Sequence, residues 1–402
     1  MRLCMSPIMR QFHPVLRQAG SKRRIAVLLN HELGFCRRVM SGILRFAEER
    51  PGWIFRDGPP DAALLNALQN WKPDGIIAHL HDGQFAAGLE RIGCPVVSTT
   101  ATLDRLELPV VDVDHLEVGR EAGRYFLGRG FRKFAYYGSR SARFSRDREV
   151  GFREQVAAGG FEVKSLHADF LPKPGAAEIW RATGGRVEGW LKKLEKPVAV
   201  FCSNDLPARR IAEVCAQLGL RVPAEVAILG VDNDTSECRL AYPQLSSIDT
   251  PAEQIGYRAA GFLSDLMDGK KSGESRIFLP PGFVVTRAST DRWASEDVVV
   301  QRAMKLIRQA VSDGLRVETV ARKAGVSRRK LERLFRKELR RSVLSAIHEA
   351  RLGVARELLA TTRLSISEVA GRAGFHNSKR FGAVFKKELG LSPKVFREQT
   401  GS

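Results

Sequence analysis

Long apolar runs are missing from this sequence of 402 residues, although 44% of its residues are hydrophobic. No stretch approaches the roughly 18 to 20 uninterrupted apolar residues of a membrane-spanning helix, so we expect no membrane contact. Low-complexity segments are missing too, which predicts a chain that is globular almost throughout. A chain this long exceeds one ordinary core and predicts two to three domains.

Paired cysteines are also missing. The six cysteines are Cys4, Cys36, Cys94, Cys202, Cys215 and Cys238, and they are scattered without a Cys-x-x-Cys spacing. This scattered arrangement argues against disulfides and against a metal site. It is typical of buried thiols in a reducing cytoplasm, where we expect the protein to act. A redox-sensing role for one of them stays an alternative. Neither a GxGxxG nor a P-loop pattern accompanies Gly138 and Ser139, so we predict no cofactor.

Acidic residues are scarce at one end of a chain whose formal net charge is +20. Residues 298–402 hold 24 basic and nine acidic residues, a net charge of +15, and residues 1–20 add +3. About +2 is left for residues 21–297. A polyanion would therefore be attracted to one end of the molecule. The alternative, a generally basic protein with a solvated charged face, does not account for this confinement.

The basic end contains one pattern written twice. Residues 320–325 (Val-Ala-Arg-Lys-Ala-Gly) recur as residues 369–374 (Val-Ala-Gly-Arg-Ala-Gly), and residues 335–339 (Phe-Arg-Lys-Glu-Leu) recur as residues 385–389 (Phe-Lys-Lys-Glu-Leu). The offsets are 49 and 50 positions, so one residue has been added inside the second copy. Each copy fits a helix-turn-helix, which predicts two adjacent major-groove contacts with double-stranded DNA.

The first copy has the signals of a complete helix-turn-helix. Residues 318–324 and 328–339 are the predicted helices, Gly325 allows the left-handed backbone of the turn, and Ser327 is a good N-cap for the second helix. Leu331 and Phe335, with Leu334, are expected to pack inward and to leave the basic side chains outside. The predicted DNA-binding residues here are Ser327, Arg328, Arg329, Arg333 and Arg336.

In the second copy, Ser365 and Glu368 form a predicted capping box, and Asn377 caps a reading helix whose core side is Phe381 and Phe385. Small residues at 382 and 383 leave its next turn nearly bare, so we expect base discrimination mainly from the first copy and positioning from the second. The predicted DNA-binding residues of the second copy are Asn377, Ser378, Lys379 and Arg380.

Between the copies, residues 343–361 predict one long helix that holds the reading helices about 34 Å apart, one turn of DNA. The expected inward residues are Leu344, Ile347, Leu352 and Leu358, and the expected outward residues are Ser345, Arg351 and Arg356.

Residues 22–290 have a different pattern, in which short apolar strands alternate with amphipathic helices. Continuous apolar runs are typical of parallel strands buried on both faces, so the region predicts doubly wound α/β lobes. The predicted strands are residues 25–30, 75–80, 96–99, 133–138, 198–203 and 226–231, and the predicted helices are residues 37–49, 117–128, 148–158 and 206–218.

Proline- and serine-containing residues 280–296 mark a boundary, after which strand patterning ceases. We predict a disordered basic tail (1–20), a two-lobed α/β domain (21–290), a linker (291–297) and an all-α domain with two helix-turn-helix motifs (298–402). The tail does not read as a secretory signal, because His13 and Pro14 interrupt it. A start codon placed too early is the alternative.

Polar residues follow four of the predicted strands. Because ligands bind outside the carboxyl ends of strands in open α/β sheets, four such clusters predict a polar cleft. Each cluster alone would also suit helix caps or turns. The residues are Asn30 and His31, His79 and His81, Asn204 and Asp205, and Asp232 and Asn233.

The middle region also resembles a known family. Residues 204–208 (Asn-Asp-Leu-Pro-Ala), 218–223 (Leu-Gly-Leu-Arg-Val-Pro) and 226–233 (Val-Ala-Ile-Leu-Gly-Val-Asp-Asn) are similar to the effector domains of LacI and periplasmic binding proteins. The resemblance implies a two-lobed sugar-type site and a homodimer. By position it implies ligand contacts from Arg148, Asn204 and Asp232, with Asp205 beside them. Phe35 could stack on a sugar ring or be a core aromatic, and His79 completes the predicted effector site.

The repeated end resembles the AraC/XylS family. The matching residues are Arg351-Leu352-x-x-Ala355-x-x-Leu358-Leu359, Gly374-Phe375 and residues 390–393 (Gly-Leu-Ser-Pro). Arg380 stands where that family usually has an aromatic residue. An AraC-type reader behind a LacI-like domain is similar to the xylose operon regulator group. That similarity implies D-xylose as effector and contact with RNA polymerase. A different sugar is the alternative, because His79 and His81 stand where the group has acidic residues.

Together these observations predict a cytoplasmic, sugar-responsive transcription factor, an activator and not an enzyme. One alternative is a sugar-acting enzyme with His79, His81 and Asp82 as acid/base groups, although no nucleophile or paired carboxylates accompany them. A transport component would leave the basic end unexplained. A ligand-independent repressor or architectural DNA binder would show no stabilisation by any sugar.

Overall fold

A computed structural model describes residues 22–80, 83–101, 108–168, 176–270, 275–291, 297–311, 314–339, 341–389 and 391–400. The predicted tail at 1–20 and most of the predicted linker at 291–297 lie outside these residues, as do Cys4, His81 and Asp82. Within the described residues, no helix is both long and apolar enough to cross a membrane.

Twelve strands lie in the first three quarters of the described chain. They are β1 (Arg23–Leu28), β2 (Trp53–Gly58), β3 (Gly75–Ala78), β4 (Val96–Ser98), β5 (Val110–Val113), β6 (Phe134–Gly138), β7 (Val163–His167), β8 (Val198–Cys202), β9 (Val226–Val231), β10 (Ser246–Ile248), β11 (Arg276–Leu279) and β12 (Val284–Val285).

The strands form two sheets of six. The N-lobe sheet has the order β11-β5-β4-β3-β1-β2, and the C-lobe sheet has the order β12-β10-β9-β8-β6-β7. All neighbours are parallel except β12, which is antiparallel to β10. The chain passes between the lobes after β5, after β10 and after β11. The predicted fold class, two doubly wound lobes, is confirmed.

Nine helices among the described residues cover the sheets. They are α1 (Gly34–Glu49), α2 (Ala62–Trp71), α3 (Gly83–Glu90), α4 (His115–Gly128), α5 (Arg143–Ala158), α6 (Ala176–Lys193), α7 (Asp205–Gln217), α8 (Thr235–Leu240) and α9 (Ala252–Met267). In the C-lobe α4 packs along α5 at backbone distance, because a Cβ at Gly119 would collide with the carbonyl of Arg148 and one at Gly151 with that of Leu116. Gly119 and Gly151 thus fix where α5 holds Arg148.

After β12 the described chain is almost entirely helical. The helices are α10 (Val298–Gln309), α11 (Val317–Ala324), α12 (Arg328–Leu339), α13 (Val343–Thr361), α14 (Ile366–Arg372), α15 (Ser378–Leu389) and α16 (Pro393–Thr400). They build two small cores. Phe335 lies in the first and Phe385 in the second, and both are fully buried.

The long helix α13 begins and ends where the sequence predicts, but its buried face is only partly predicted. Ile347 and Leu352 are buried as expected, whereas Leu344, expected inside, is 42% exposed. Arg351, expected outside, is 8% exposed. The single-stripe prediction is wrong because α13 serves two cores and also contacts the C-lobe, so more than one of its faces is covered.

The described cysteines, Cys36, Cys94, Cys202, Cys215 and Cys238, are all buried free thiols. Burial raises the pKa of Cys36, Cys94 and Cys215 to about 12. Since the thiolate is the reactive form, these three side chains are poorly suited to redox sensing.

Candidate effector cleft and DNA-reading surface

A cavity of about 610 Å³ lies between the two lobes, where the parallel strands end. Such a volume suits a small polar ligand. Residues from both lobes line it, so a ligand here contacts both. The strand-end residues that line the cavity are Asn30, His79, Asn204, Asp205 and Asp232. His31 instead pairs with Asp57 outside it.

Arg148 is the buried cation of the cleft, 3% exposed on α5. One Nη donates to the carbonyl of Ser203, and the other lies 3.3 Å from Asp232 Oδ1. The guanidinium sits 5.1 Å from the ring centre of Phe144. A buried charge is tolerated when it is paired and hydrogen-bonded, and the two Nη atoms meet that condition, while Nε is buried without a partner among the described residues. Arg148 and Asp232 together offer a ligand N–H donors beside a carboxylate acceptor.

The turn after β9 presents Asp232 in an unusual backbone conformation. Asp232 has φ +95° and Asn233 has φ +50°, two consecutive non-glycine residues in the left-handed region. Strain of this kind persists where surrounding contacts hold it. Here Asn233 accepts from Arg287 over 2.7 Å and its N–H donates to Ser247 Oγ over 2.9 Å. Asn233 therefore holds the turn, while Asp232 faces the cleft.

Asp205 lies at the cleft wall but is turned into the protein. It is 2% exposed, and its Oδ2 accepts the backbone N–H of Asp234 over 2.8 Å. Its Oδ1 packs against Gly230, where a Cβ would collide with it. Burial raises the pKa of Asp205 well above 3.8, and the nearby Asp232 carboxylate raises it further. Asp205 thus stabilises the turn after β9 from inside the protein.

Two of the predicted effector residues form an aromatic wall from the N-lobe. The rings of Phe35 and His79 lie 5.3 Å apart. His79 is 8% exposed, and its Nδ1 lies 3.1 Å from Thr99 Oγ1. Asn204, partly buried, faces them from the C-lobe at the N-cap of α7. The structure therefore brings all six predicted effector residues to one cleft.

Sequence reasoning missed several cleft residues, among them Asp112, His115, Phe144 and Asp234. Asp112 Oδ2 lies 3.2 Å from His115 Nε2 and accepts the N–H of Ala101 over 2.8 Å. Burial raises the pKa of Asp112, but His115 and the backbone donors outweigh it, so the net pKa falls below 3.8. A weak signal was available, because Asp114 and His115 follow the short strand β5, in which Asp112 is the one polar residue.

Asp234 joins the lobes. Its Oδ2 accepts the backbone N–H of Gly34, at the start of α1, over 3.0 Å, and lies 3.4 Å from an Nη of Arg37. Its Oδ1 caps α8 by accepting the N–H of Ser236. One carboxylate thus contacts both walls of the cleft.

The first helix-turn-helix has the geometry that the sequence predicts. Gly325 has φ +78°, and Ser327 Oγ caps α12 by accepting the N–H of Lys330 over 3.2 Å. Leu331 and Phe335 are fully buried. Arg328 pairs with Glu318 of α11 at 2.5 Å. All five predicted DNA-binding residues of the first copy are exposed, namely Ser327, Arg328, Arg329, Arg333 and Arg336.

The second helix-turn-helix is built in the same way. The capping box of Ser365 and Glu368 is present, and Asn377 Oδ1 caps α15 by accepting the N–H of Lys379 over 2.7 Å. Phe381 and Phe385 are fully buried. The exposed residues at the start of α15 are Asn377, Ser378, Lys379 and Arg380.

The helical region rests on the C-lobe next to α4. Arg341 donates to the carbonyl of Gly128 over 3.1 Å, and Arg356 on α13 lies 3.6 Å from Glu121 on α4. Arg129 lies 4.0 Å from Glu349. Helix α4 begins at His115 in the cleft, so one helix runs from the cavity to α13, which connects the two reading helices.

Two family matches cover separate parts of the chain. Residues 123–290 match the family described as a periplasmic binding protein-like domain. Residues 320–399 match the family described as a helix-turn-helix domain. The first range runs from α4 to the end of the strands, and the second contains both reading helices.

Similarity to known proteins extends over nearly the whole chain. The chain is 30% identical over 385 residues to the xylose operon regulatory protein of Escherichia coli K12, covering 94% of this chain and 97% of that protein. Against the xylose operon regulatory protein of Haemophilus influenzae it is 26% identical over 382 residues, covering 93% and 98%. The solved structure of the xylose-binding transcription activator XylR matches with a TM-score of 0.60 at 28% identity, covering 95% of this chain and 100% of that one.

Proposed function

The chain belongs to the family of xylose operon regulatory proteins, and from that premise we propose that it switches pentose-catabolism genes when a neutral sugar closes its lobes. It is a sugar-responsive, DNA-binding transcription regulator, and its relatives are regulators, not enzymes. Both resemblances predicted from the sequence are confirmed, and the alternative of a sugar-acting enzyme is rejected.

The proposed effector is an unphosphorylated pentose, with D-xylose the first candidate. The relatives named above support xylose, and the cleft supports a neutral ligand. Arg148 is accompanied by the carboxylates of Asp112, Asp232 and Asp234, which disfavour a phosphate. Hydroxyl groups both donate and accept, so they suit a wall of mixed donors and acceptors.

Each proposed contact follows from where its side chain lies. Arg148 and Asp232 would bind adjacent hydroxyls in forked geometry, and Asn204 would bind another. Phe35 and His79 would pack on the apolar face of the sugar ring. Asp205 would act indirectly, by holding the turn that carries Asp232 and Asp234.

The proposed DNA contacts come from the starts of α12 and α15. Arg329 and Arg333 of α12 suit guanine edges, whereas Arg328 is shared with Glu318 and suits phosphate. Lys379 and Arg380 would position the second reading helix on the backbone. Two reading helices in one chain support contact with successive major grooves.

The relatives also support a proposal for how the protein regulates transcription and with which partners. We infer activation from the transcription activator to which the chain is similar. We propose a homodimer from the resemblance to LacI-type effector domains, and contact with RNA polymerase from the resemblance to the xylose operon regulator group. A regulator of this family meets its promoter in the cytoplasm. Sugar closure would act on DNA through the C-lobe, because α4 contacts both the cleft and α13.

The deciding experiment measures two quantities with the full-length protein. Thermal unfolding is followed with D-xylose, L-arabinose, D-ribose, D-glucose and D-xylose 5-phosphate, and binding to promoter DNA is titrated with and without each sugar. The proposal expects a neutral pentose to raise the melting temperature and to change DNA affinity, and the phosphate ester to do neither. DNA binding that no sugar alters would instead favour a ligand-independent repressor or architectural protein.

A further inference from the structure

The two helix-turn-helix units are joined by more than the long helix. The first core takes Ile347 from α13 and the second takes Leu352. The helical turn between these residues marks the junction of the two units, and a hinge there would let the reading helices swing relative to each other. Arg351 lies in this turn.

Arg351 contacts both units at once. Its Nη2 donates to the backbone carbonyl of Leu315, in the segment before α11, over 2.9 Å. Its guanidinium lies 5.5 Å from the ring centre of Phe375, in the turn before α15. The side chain is a long, charged one that is 8% exposed, so this arrangement is not that of a solvated surface arginine.

The backbones of the two units also approach closely around Arg351. A Cβ at Gly374 would collide with the carbonyl oxygen of Val311 and would lie 3.2 Å from Arg351 Nε. A Cβ at Gly314 would lie 2.7 Å from the ring of His376. Val311 and Gly314, which follow α10, therefore pack directly on the turn of the second unit.

A second ring, that of His348, adds to the contacts around Arg351. His348, one helical turn before Arg351 on α13, stacks on Phe375 with ring centres 6.3 Å apart and an angle of 29°. Phe375 is 5% exposed and also contacts Phe381 of α15 at 5.1 Å. A displacement of Arg351 would thus pass through Phe375 directly to the second reading helix.

We propose that Arg351 is a positioning residue that fixes the distance and rotation between α12 and α15, and so makes the protein select one spacing between two DNA subsites. The inference rests on the proposed reading of neighbouring grooves by both helices. One added base pair rotates the second subsite by about a tenth of a turn of DNA, which a rigid pair of reading helices cannot follow.

The test is in vitro selection by the full-length protein from a randomised duplex library, followed by sequencing. The readout is the spacing between the two enriched half-motifs, and spacing variants of the best wild-type duplex then give relative Kd values. Arg351→Gln removes the charge and Phe375→Leu removes the ring that it contacts. Arg363→Gln is the matched control, since Arg363 is an exposed arginine just beyond α13.

We expect the wild type and Arg363→Gln to enrich one spacing. Arg351→Gln and Phe375→Leu should each accept an added or removed base pair, with less than half the wild-type discrimination between spacings. Arg351→Lys, which keeps a cation but not the planar fork, should be intermediate. A folded Arg351→Gln or Phe375→Leu that keeps the wild-type spacing ratios would overturn the inference. A wild type that enriches only one half-motif would instead overturn the proposed two-groove reading. Phe375→Leu decides the matter if circular dichroism shows that Arg351→Gln does not fold.

Discussion

The backbone N–H of Gly34 in the N-lobe donates to Asp234 Oδ2 in the C-lobe over 3.0 Å. This bond spans the cleft, and it uses the carboxylate oxygen that does not cap α8. The bond exists only while the lobes are close together, so it favours the arrangement in which both walls contact a ligand. A substitution at Asp234 should therefore act on lobe closure more than on folding.

We expect Asp234→Asn to weaken sugar binding by about 1 kcal/mol, roughly fivefold in Kd. Asparagine keeps one oxygen for the cap, but its amide replaces the acceptor for Gly34 by a donor. Isothermal titration with D-xylose measures the change. Asp114→Asn is the matched control, because Asp114 caps α4 through the N–H of Glu117. Equal losses of affinity in the two variants would contradict a role in closure.

The pair of Arg148 and Asp232 gives a prediction with two readouts. Arg148→Met leaves Asp232 without its cation beside the carboxyl group of Asp205, and we expect a loss of about 3–5 kcal/mol in the free energy of unfolding. Asp232→Asn keeps a hydrogen-bonding partner for Arg148 and should mainly reduce sugar affinity. Urea unfolding and sugar titration separate the two effects. Unchanged stability in Arg148→Met would show that the pair is not needed for the cleft to form.

Two buried aspartates of the cleft should depend on pH in opposite directions. The pKa of Asp205 is raised in the folded state, so its favourable contribution is full below the unfolded pKa and is lost as pH rises through the folded pKa. The pKa of Asp112 is lowered, so its contribution is present above the unfolded pKa and is lost as pH falls through the folded pKa.

The measurement is urea unfolding of Asp205→Asn and Asp112→Asn over a series of pH values from 3.8, the ordinary aspartate pKa, up to neutrality. Relative to wild type, Asp205→Asn should gain stability as pH rises. Asp112→Asn should lose least at the acid end and most near neutrality. If the stability of both variants ran parallel to that of the wild type over this pH range, the pKa directions given for Asp205 and Asp112 would both be wrong.

The six strands that the sequence predicts are buried over most of their length. Ile25–Leu28 of β1 and all residues of β8 and β9 form unbroken apolar runs, and the predicted bounds of these strands lie within two positions of the observed ones. Strand β2 was not predicted, because it lies at a sheet edge and only alternate residues are partly covered. Strand β5 was not predicted because Asp112 interrupts its apolar run, and His115 was missed along with it.

The burial of Arg351 could not be predicted from helical periodicity. A stripe of apolar residues identifies one buried face, but α13 packs against two cores and the C-lobe, and its polar residues are covered by tertiary contacts. The caps at Ser327, Ser365 and Asn377 were predicted correctly, since capping depends on residues close in sequence.

On the DNA side, Arg333→Ala and Arg328→Ala should differ. If Arg333 reads a base, its loss should cost roughly 1–3 kcal/mol and relax specificity at one position. Arg328 is already paired with Glu318, so its loss should weaken binding less and equally for all sequences. Titrations against the selected duplex and against duplexes changed at single positions give both quantities. A uniform loss in Arg333→Ala would assign that side chain to phosphate.

The contact between Glu121 and Arg356 leads to the last prediction, which concerns communication between the cleft and the DNA. Helix α4 begins in the cleft and carries Glu121, while α13 carries Arg356 and connects the two reading helices. Reversing either charge places like charges 3.6 Å apart in wild-type geometry and should weaken the packing of α13 on α4. We expect Glu121→Arg and Arg356→Glu to keep sugar affinity but to reduce the ratio of DNA affinities with and without sugar towards one.

The double variant Glu121→Arg/Arg356→Glu restores an opposite-charge pair between α4 and α13 and should recover part of that ratio, which is the coupling between the two sites. Recovery is partial because Glu121 also accepts from Arg124 over 2.9 Å, and the swap breaks that bond. The measurement is a DNA titration at saturating sugar and at zero sugar for all four proteins. Recovery in the double variant separates a specific contact from general damage, because the double variant carries both lesions. If instead both single variants keep the full ratio, the contact carries no signal, and sugar must act through another surface of the C-lobe.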